Sequence, residues 1–157
     1  MIFGESPPLP GVGIASTQDF KTYDTLNTSW LLELGANHTV EPEVVLEAAA
    51  PPVQLSTGDY LHIYAAATPG WVEHGNYTGG FIILDSEDPT QIVQRSETHI
   101  FMPTMDYEIG GSYYPVQRSR TLFVTSLVPV EGQVDTFRVW YGAADAVVAT
   151  AIVRVTY

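Results

Sequence analysis

Asp145 is the residue best placed to do chemistry. It closes the run Tyr141-Gly142-Ala143-Ala144-Asp145, in which glycine and alanine let the backbone turn closely and leave one charged side chain at a strand end, where a ligand could meet it. A carboxylate in that position can accept two hydroxyl hydrogen bonds in fixed geometry. The alternative is a turn aspartate bonded to its own backbone. A second candidate is the aromatic loop that opens at Thr68-Pro69-Gly70 and carries Trp71, His74 and Tyr77. The four histidines, His38, His62, His74 and His99, have no metal-ligand spacing and no clustered carboxylates, so no metal site is expected. With no cysteine there is neither a disulfide framework nor a thiolate zinc site. There is no Gly-rich phosphate loop, and Ser126 lacks a nucleophile-elbow context.

These groups need a scaffold, and the hydrophobic pattern describes one made of strands. Phe137 to Val155 reads as strand, turn, strand, with apolar residues at Val147, Ala149, Ala151, Val153 and Val155 after the turn. A similar strand occurs at Gly13-Ile14-Ala15-Ser16, at Gly80 to Asp85 and at Ala149 to Arg154, with starts 67 residues apart (13 to 80) and then 69 (80 to 149). The first two copies run into polar turns, Thr17 to Phe20 and Ser86 to Pro89, and then into another strand-like segment. A period of this length suits one propeller blade of four antiparallel strands, so the expected class is all-β. Tyr60 to Ala66 alternates, with Tyr60, His62 and Tyr64 on one face and Leu61, Ile63 and Ala65 on the other. Gly79 to Leu84 is apolar on both faces, as expected of a strand packed between neighbours. Val40 to Val53 reads as a connection; its best helical stretch, Glu41 to Ala50, is stopped by Pro51-Pro52. Asp106 to Arg120 reads as a polar, Tyr-rich loop.

At this period the 157 residues hold a little over two blades, in approximate pieces 1–50, 51–118 and 119–157. Propellers close with four or more blades. The chain is therefore expected to be a fragment, or to complete its ring with a second copy, because an open partial ring leaves a sheet face and a strand edge uncovered. Six basic residues against 18 acidic ones exclude a phosphate-binding nucleic-acid surface. No apolar run reaches membrane-spanning length, so no membrane partner is expected. Met1 to Pro8 is not a signal-peptide pattern, which favours the cytoplasm; the sequons at Asn27, Asn37 and Asn76 would suit a secreted protein.

Four segments taken together resemble one known family. Tyr141 to Asp145, Gly80 to Pro89, Pro51-Pro52-Val53 ahead of Tyr60 to Tyr64, and Ala15 to Phe20 are similar to family 130 of the glycoside hydrolases. The resemblance runs in order through nearly the whole chain and is most specific at Tyr141 to Asp145. It implies a five-bladed β-propeller of which this chain is the C-terminal portion, and an activity on β-mannosides by phosphorolysis or hydrolysis.

The resemblance also implies roles. Asp145, with Tyr141 in the same motif, would hydrogen-bond hydroxyls of a bound mannose. Tyr107-Glu108 ahead of Gly110 resembles the family's channel-rim motif, so Glu108 could contact a sugar; the alternative is a solvated loop acid. Gly111 to Arg120 is an insertion after that motif, and Leu127 stands where the family has glycine. Trp71 and Tyr77 could stack on a sugar ring, although propeller aromatics mostly cover core. Glycosidic cleavage needs a carboxylic acid to protonate the leaving oxygen, and then a second carboxylate acting on water or a bound phosphate. The family's acid is an aspartate of an early blade, outside these residues, so no catalytic residue is assigned here and the chain alone is expected to turn over nothing. Inorganic phosphate is the one co-substrate implied, yet the family's phosphate-binding Lys falls near Val45 and its His at Ala65. Arg95, Arg118 and Arg120 could substitute in principle, but lone arginines on loops are usually solvated. The expected partners are a β-mannoside-like carbohydrate and the rest of a ring. The alternative function is a non-catalytic sugar-binding or scaffold module.

Overall fold

The computed structural model describes residues 1–4, 11–25, 30–33, 43–70, 76–110 and 120–157. Its strands are β1 (Ile2–Phe3), β2 (Gly11–Ser16), β3 (Asp24–Thr25), β4 (Leu32–Glu33), β5 (Val45–Ala48), β6 (Val53–Gln54), β7 (Tyr60–Ala67), β8 (Tyr77–Leu84) and β9 (Ile92–Arg95). One helical turn, α1 (Asp106–Ile109), precedes β10 (Leu122–Pro129), β11 (Thr136–Ala143) and β12 (Val147–Arg154). All named strand pairs are antiparallel, in three sheets. In the middle sheet β8 takes one edge of β7 while β5 and β6 share the other, so with β9 the sheet is four strand positions wide. This is the expected four-stranded blade. The third sheet is β10–β11–β12, and the outer edge of β12 pairs with nothing among the described residues. The chain is thus an all-β, partial β-propeller.

The three repeated segments fall in β2, β8 and β12. The first two turn back into β3 and β9, through the polar turns the sequence marks. Two local assignments change. Val45–Ala48 lies in the stretch read as a connection with helical potential, yet it is the first strand of the middle sheet, because pairing with Tyr64 to Ala67 outweighs a two-turn helical tendency. Asp106–Ile109, read as loop, is one turn of helix ended by Gly110 in the left-handed conformation.

The alternation of β7 is what stacks the sheets. Leu61 and Ile63 face the third sheet, where they join Leu122, Val124, Leu127, Phe137, Val139 and Tyr141 in the largest buried cluster. Tyr64 and Ala66 face the first sheet and meet Val12 and Leu32, with Ile82 and Leu84 of β8 beside them. Burying each large aliphatic side chain contributes about 1.5–3 kcal/mol, so these two faces hold the three layers together. Gly80 is fixed by this packing: it lies opposite Tyr64 across the ladder, and a Cβ there would sit 2.4 Å from the Tyr64 ring. The break between β5 and β6 has a local cause. Pro51 and Pro52 have no N–H to give the ladder, and buried His62 instead donates from Nδ1 to the Ala50 carbonyl at 3.0 Å.

Register also sorts the connections to the two ends of the sheets. Val45, Ala67, Tyr77, Leu122, Ala143 and Val147 share one end. Glu43, residues 68–70 and 76 beside β7 and β8, residues 104–110 and 120–121, and the turn at Ala144–Asp145 all belong there. The turns at Thr17, Ser56, Asp85 and Val130 lie at the other.

Candidate functional site

The β11–β12 hairpin positions Asp145. Ala144 and Asp145 both have φ of 50°, and the Ala146 N–H donates to the Ala143 carbonyl at 3.1 Å, so two left-handed residues make the tight turn. Neither is glycine, so the turn must be held from outside. Ala144 is fully buried, and its N–H donates to the Thr121 carbonyl at 2.8 Å. Asp145 itself is exposed, and its carboxylate makes no hydrogen bond among the described residues. The self-bonded turn aspartate considered from sequence is therefore not what is found.

Tyr107, Glu108 and Tyr141, widely separated in sequence, come together. The Tyr141 hydroxyl donates to Glu108 Oε1 at 2.7 Å, and the Tyr107 and Tyr141 hydroxyls are 3.3 Å apart. Glu108 Oε2 accepts the N–H groups of Thr104 (2.7 Å) and Met105 (2.8 Å), closing the first turn of α1. Glu108 is only 4% exposed, so it is not the solvated loop acid of the alternative reading. Burial, then the Tyr107 hydroxyl and the Glu108 carboxylate, push the Tyr141 hydroxyl far above the usual tyrosine range. Tyr77, read from sequence as a loop aromatic, is instead the first residue of β8 and covers core: it is buried with Val45, Ala65 and Ala67, donates its hydroxyl to Glu47 and packs with its ring centre 6.2 Å from that of Phe123. Trp71 and His74 lie outside the described residues.

A further cluster at this end has no counterpart in the sequence reading. Glu43 Oε2 accepts from Arg95 Nη2 at 2.6 Å, and its Oε1 accepts from the Tyr64 hydroxyl at 3.0 Å and lies 3.3 Å from His99 Nε2. The Arg95 guanidinium also lies 5.1 Å from the centre of the Tyr64 ring. Burial raises the Glu43 carboxyl, but His99, the Arg95 charge and the Tyr64 hydroxyl outweigh it and hold the group below its usual value. Burial and Glu43 push Tyr64 up to about 12. Arg95 is thus engaged in a buried ion pair, not solvated on a loop, whereas Arg120 is exposed and Arg118 lies outside the described residues. Nothing near Glu43 in sequence signals this cluster, since its partners come from three other segments.

Val45 and Ala65 lie together in a buried apolar cluster with Ala67 and Tyr77. Among the described residues no group of His, Asp and Glu side chains is arranged to hold a metal ion.

Stacked antiparallel sheets with a carboxylate turn at one end define a piece of a propeller. The profile of glycoside hydrolase family 130, described as beta-1,4-mannooligosaccharide phosphorylase, matches residues 14–156, and the chain belongs to that family. It is 31% identical over 119 residues to a β-1,2-mannobiose phosphorylase of Thermoanaerobacter sp. strain X514, covering 75% of this chain and 34% of the relative. It is 31% identical over 105 residues to the β-1,2-mannobiose phosphorylase of Listeria innocua, covering 67% of this chain and 26% of that protein. The structure of a Listeria innocua β-1,2-mannobiose phosphorylase in complex with β-1,2-mannobiose superimposes with a TM-score of 0.69 at 25% identity, over 91% of this chain and 36% of that one. A glycosyl hydrolase from Bacteroides ovatus shares the fold, with a TM-score of 0.74 at 20% identity, over 98% of this chain and 41% of that one. The chain spans a quarter to a third of the length of the curated relatives it matches.

Proposed function

We propose that this chain supplies part of a β-mannoside-binding site, with Asp145 taking hydroxyls of the bound sugar and Tyr107 and Tyr141 walling the same end. The observation that carries the reading is the contrast among the carboxylates there. Glu43, Glu47 and Glu108 are each occupied by a tyrosine hydroxyl, while among the described carboxylates of this end Asp106 and Asp145 are exposed and unbonded, and of these two only Asp145 stands in the β11–β12 turn. An exposed carboxylate on a turn whose backbone is held is a good acceptor for two sugar hydroxyls. Relatives named as mannobiose phosphorylases, one of them solved with β-1,2-mannobiose, support the sugar class.

The chemistry we propose for a complete ring is hydrolysis. Phosphate needs clustered cations, and the positions that resemble the family's Lys and His carry Val45 and Ala65, both buried in an apolar cluster, while Arg95 is committed to Glu43. A general acid would come from blades beyond these residues or from a second copy, so the chain alone binds without cleaving. The test is titration of the chain with β-1,2-mannobiose and, separately, inorganic phosphate. Mannobiose binding that Asp145→Asn removes, with no phosphate response, is expected. Cleavage of mannobiose by the chain itself, abolished by Asp145→Ala, would overturn the inactive half of the reading.

A further inference from the structure

We infer that Glu108 is a positioning residue, which holds the Asp145 turn through Tyr141 and the Arg120–Thr121 segment and does not itself touch the sugar. This rests on Asp145 being the sugar carboxylate. An ionised carboxylate only accepts, and the acceptor capacity of Glu108 faces inward: two backbone N–H groups on Oε2 and the Tyr141 hydroxyl on Oε1, at 4% exposure. Tyr141 has a single hydroxyl proton, and it goes to Glu108; at the 3.3 Å contact Tyr107 is then the donor. The direction of the whole chain of hydrogen bonds is set by Glu108.

The main chain of the same residue makes the second link. The Glu108 carbonyl accepts the Arg120 N–H at 2.9 Å; the Arg120 carbonyl accepts the Tyr77 N–H at 2.9 Å, and the Thr121 carbonyl accepts the Ala144 N–H at 2.8 Å. Glu108 therefore grips the hairpin twice, by its side chain on Tyr141 in β11 and by its backbone through Arg120–Thr121 on Ala144. The hairpin needs that grip. Ala144 and Asp145 hold positive φ without being glycine, a conformation that persists only where the surroundings enforce it.

The test is a double-mutant cycle on the 157-residue chain, read by hydrogen exchange at the Ala144 and Asp145 amides and by β-1,2-mannobiose affinity. Glu108→Gln keeps the side-chain size but turns one acceptor into a donor. Tyr141→Phe removes only the hydroxyl. Each is expected to speed exchange at Ala144 and weaken mannobiose by about ten-fold, and the double variant to lose clearly less than the two singles combined, because both break one bond. Amides of β7 and β8 away from Tyr77, at Leu61 to Ile63 and Ile82 to Leu84, should keep wild-type rates, which a general loss of stability would not allow. Wild-type exchange and affinity in both singles, or losses that simply add, overturn the inference. Should Glu108→Gln fail to fold, Tyr141→Phe and its exchange pattern decide the matter. If wild type and Asp145→Asn alike bind no mannobiose, the sugar reading falls, and the exchange arm still decides whether Glu108 holds the turn.

Discussion

The two ends of the sheets carry carboxylates in different company. At the far end, Asp19 accepts the N–H groups of Lys21 and Thr22, and Asp85 those of Glu87 and Asp88, all at 2.8 Å and all within three residues. At the site end, Glu43, Glu47 and Glu108 meet tyrosines 21, 30 and 33 positions away. A carboxylate bonded to its own turn shapes a few residues and stays in water. One bonded to a tyrosine of another element ties two elements together, whereas Asp106 and Asp145, at the same end, are exposed and carry no such bond among the described residues. Asp135 departs from the far-end pattern: it accepts from the Ser56 N–H and hydroxyl, 79 residues away, and so ties the third sheet to the middle one.

The sharpest break of this contrast is Glu43→Ala. It leaves the Arg95 guanidinium buried beside Tyr64 without its counter-charge, and should cost about 3–5 kcal/mol of unfolding free energy in urea denaturation. A loss below about 1 kcal/mol would mean that this pair behaves like a surface one.

Acid should act next most strongly. Burial lowers the His62 pKa from 6.5 to about 4, so the unfolded chain takes up a proton between those values and the folded chain resists it. Stability is therefore full above pH 6.5 and falls by ~3 kcal/mol as pH drops to about 4, with Glu43, held below its usual value, adding loss at still lower pH. Replacing His62 by Gln should flatten the fall between pH 6.5 and 4; an unchanged slope would place its origin elsewhere.

Asp145→Gly separates binding from folding. Glycine accepts the positive φ freely, so stability should hold or rise by about 0.5–1 kcal/mol while mannobiose binding is lost. Retained affinity would remove Asp145 from the site. The smallest effect is expected for Asp19→Ala at the far end, where the bonds are local and exposed: the urea midpoint should stay within error, and a clear shift would erase the distinction between the ends.

Much of this architecture is legible in the amino-acid order. The period near 68, the alternation in Tyr60 to Ala66 and the two-sided apolar run of Gly79 to Leu84 mark the strands, the blade and the stacking, because side-chain direction in a strand follows parity alone. Asp145 stands out because small residues precede it. Val45–Ala48 does not read as a strand, because a four-residue segment has no periodicity of its own and is defined by the partner that pairs with it. Arg95 reads as a solvated arginine for a related reason, since its sequence neighbours are polar and its burial comes from Glu43, on another segment.

The amino-acid order by itself determined the class of fold, the positions of most strands and local turns, and a candidate carboxylate, since each depends on alternation, on turn chemistry or on a contiguous motif. The tertiary structure alone decided which carboxylates are spoken for. Whether Glu43, Glu47 or Glu108 faces water or a tyrosine hydroxyl is set by strands that register brings together from 21 to 33 residues apart. Hydrogen bonds at that range leave no periodic trace in the sequence, because the pairing that creates them belongs to the sheet as a whole.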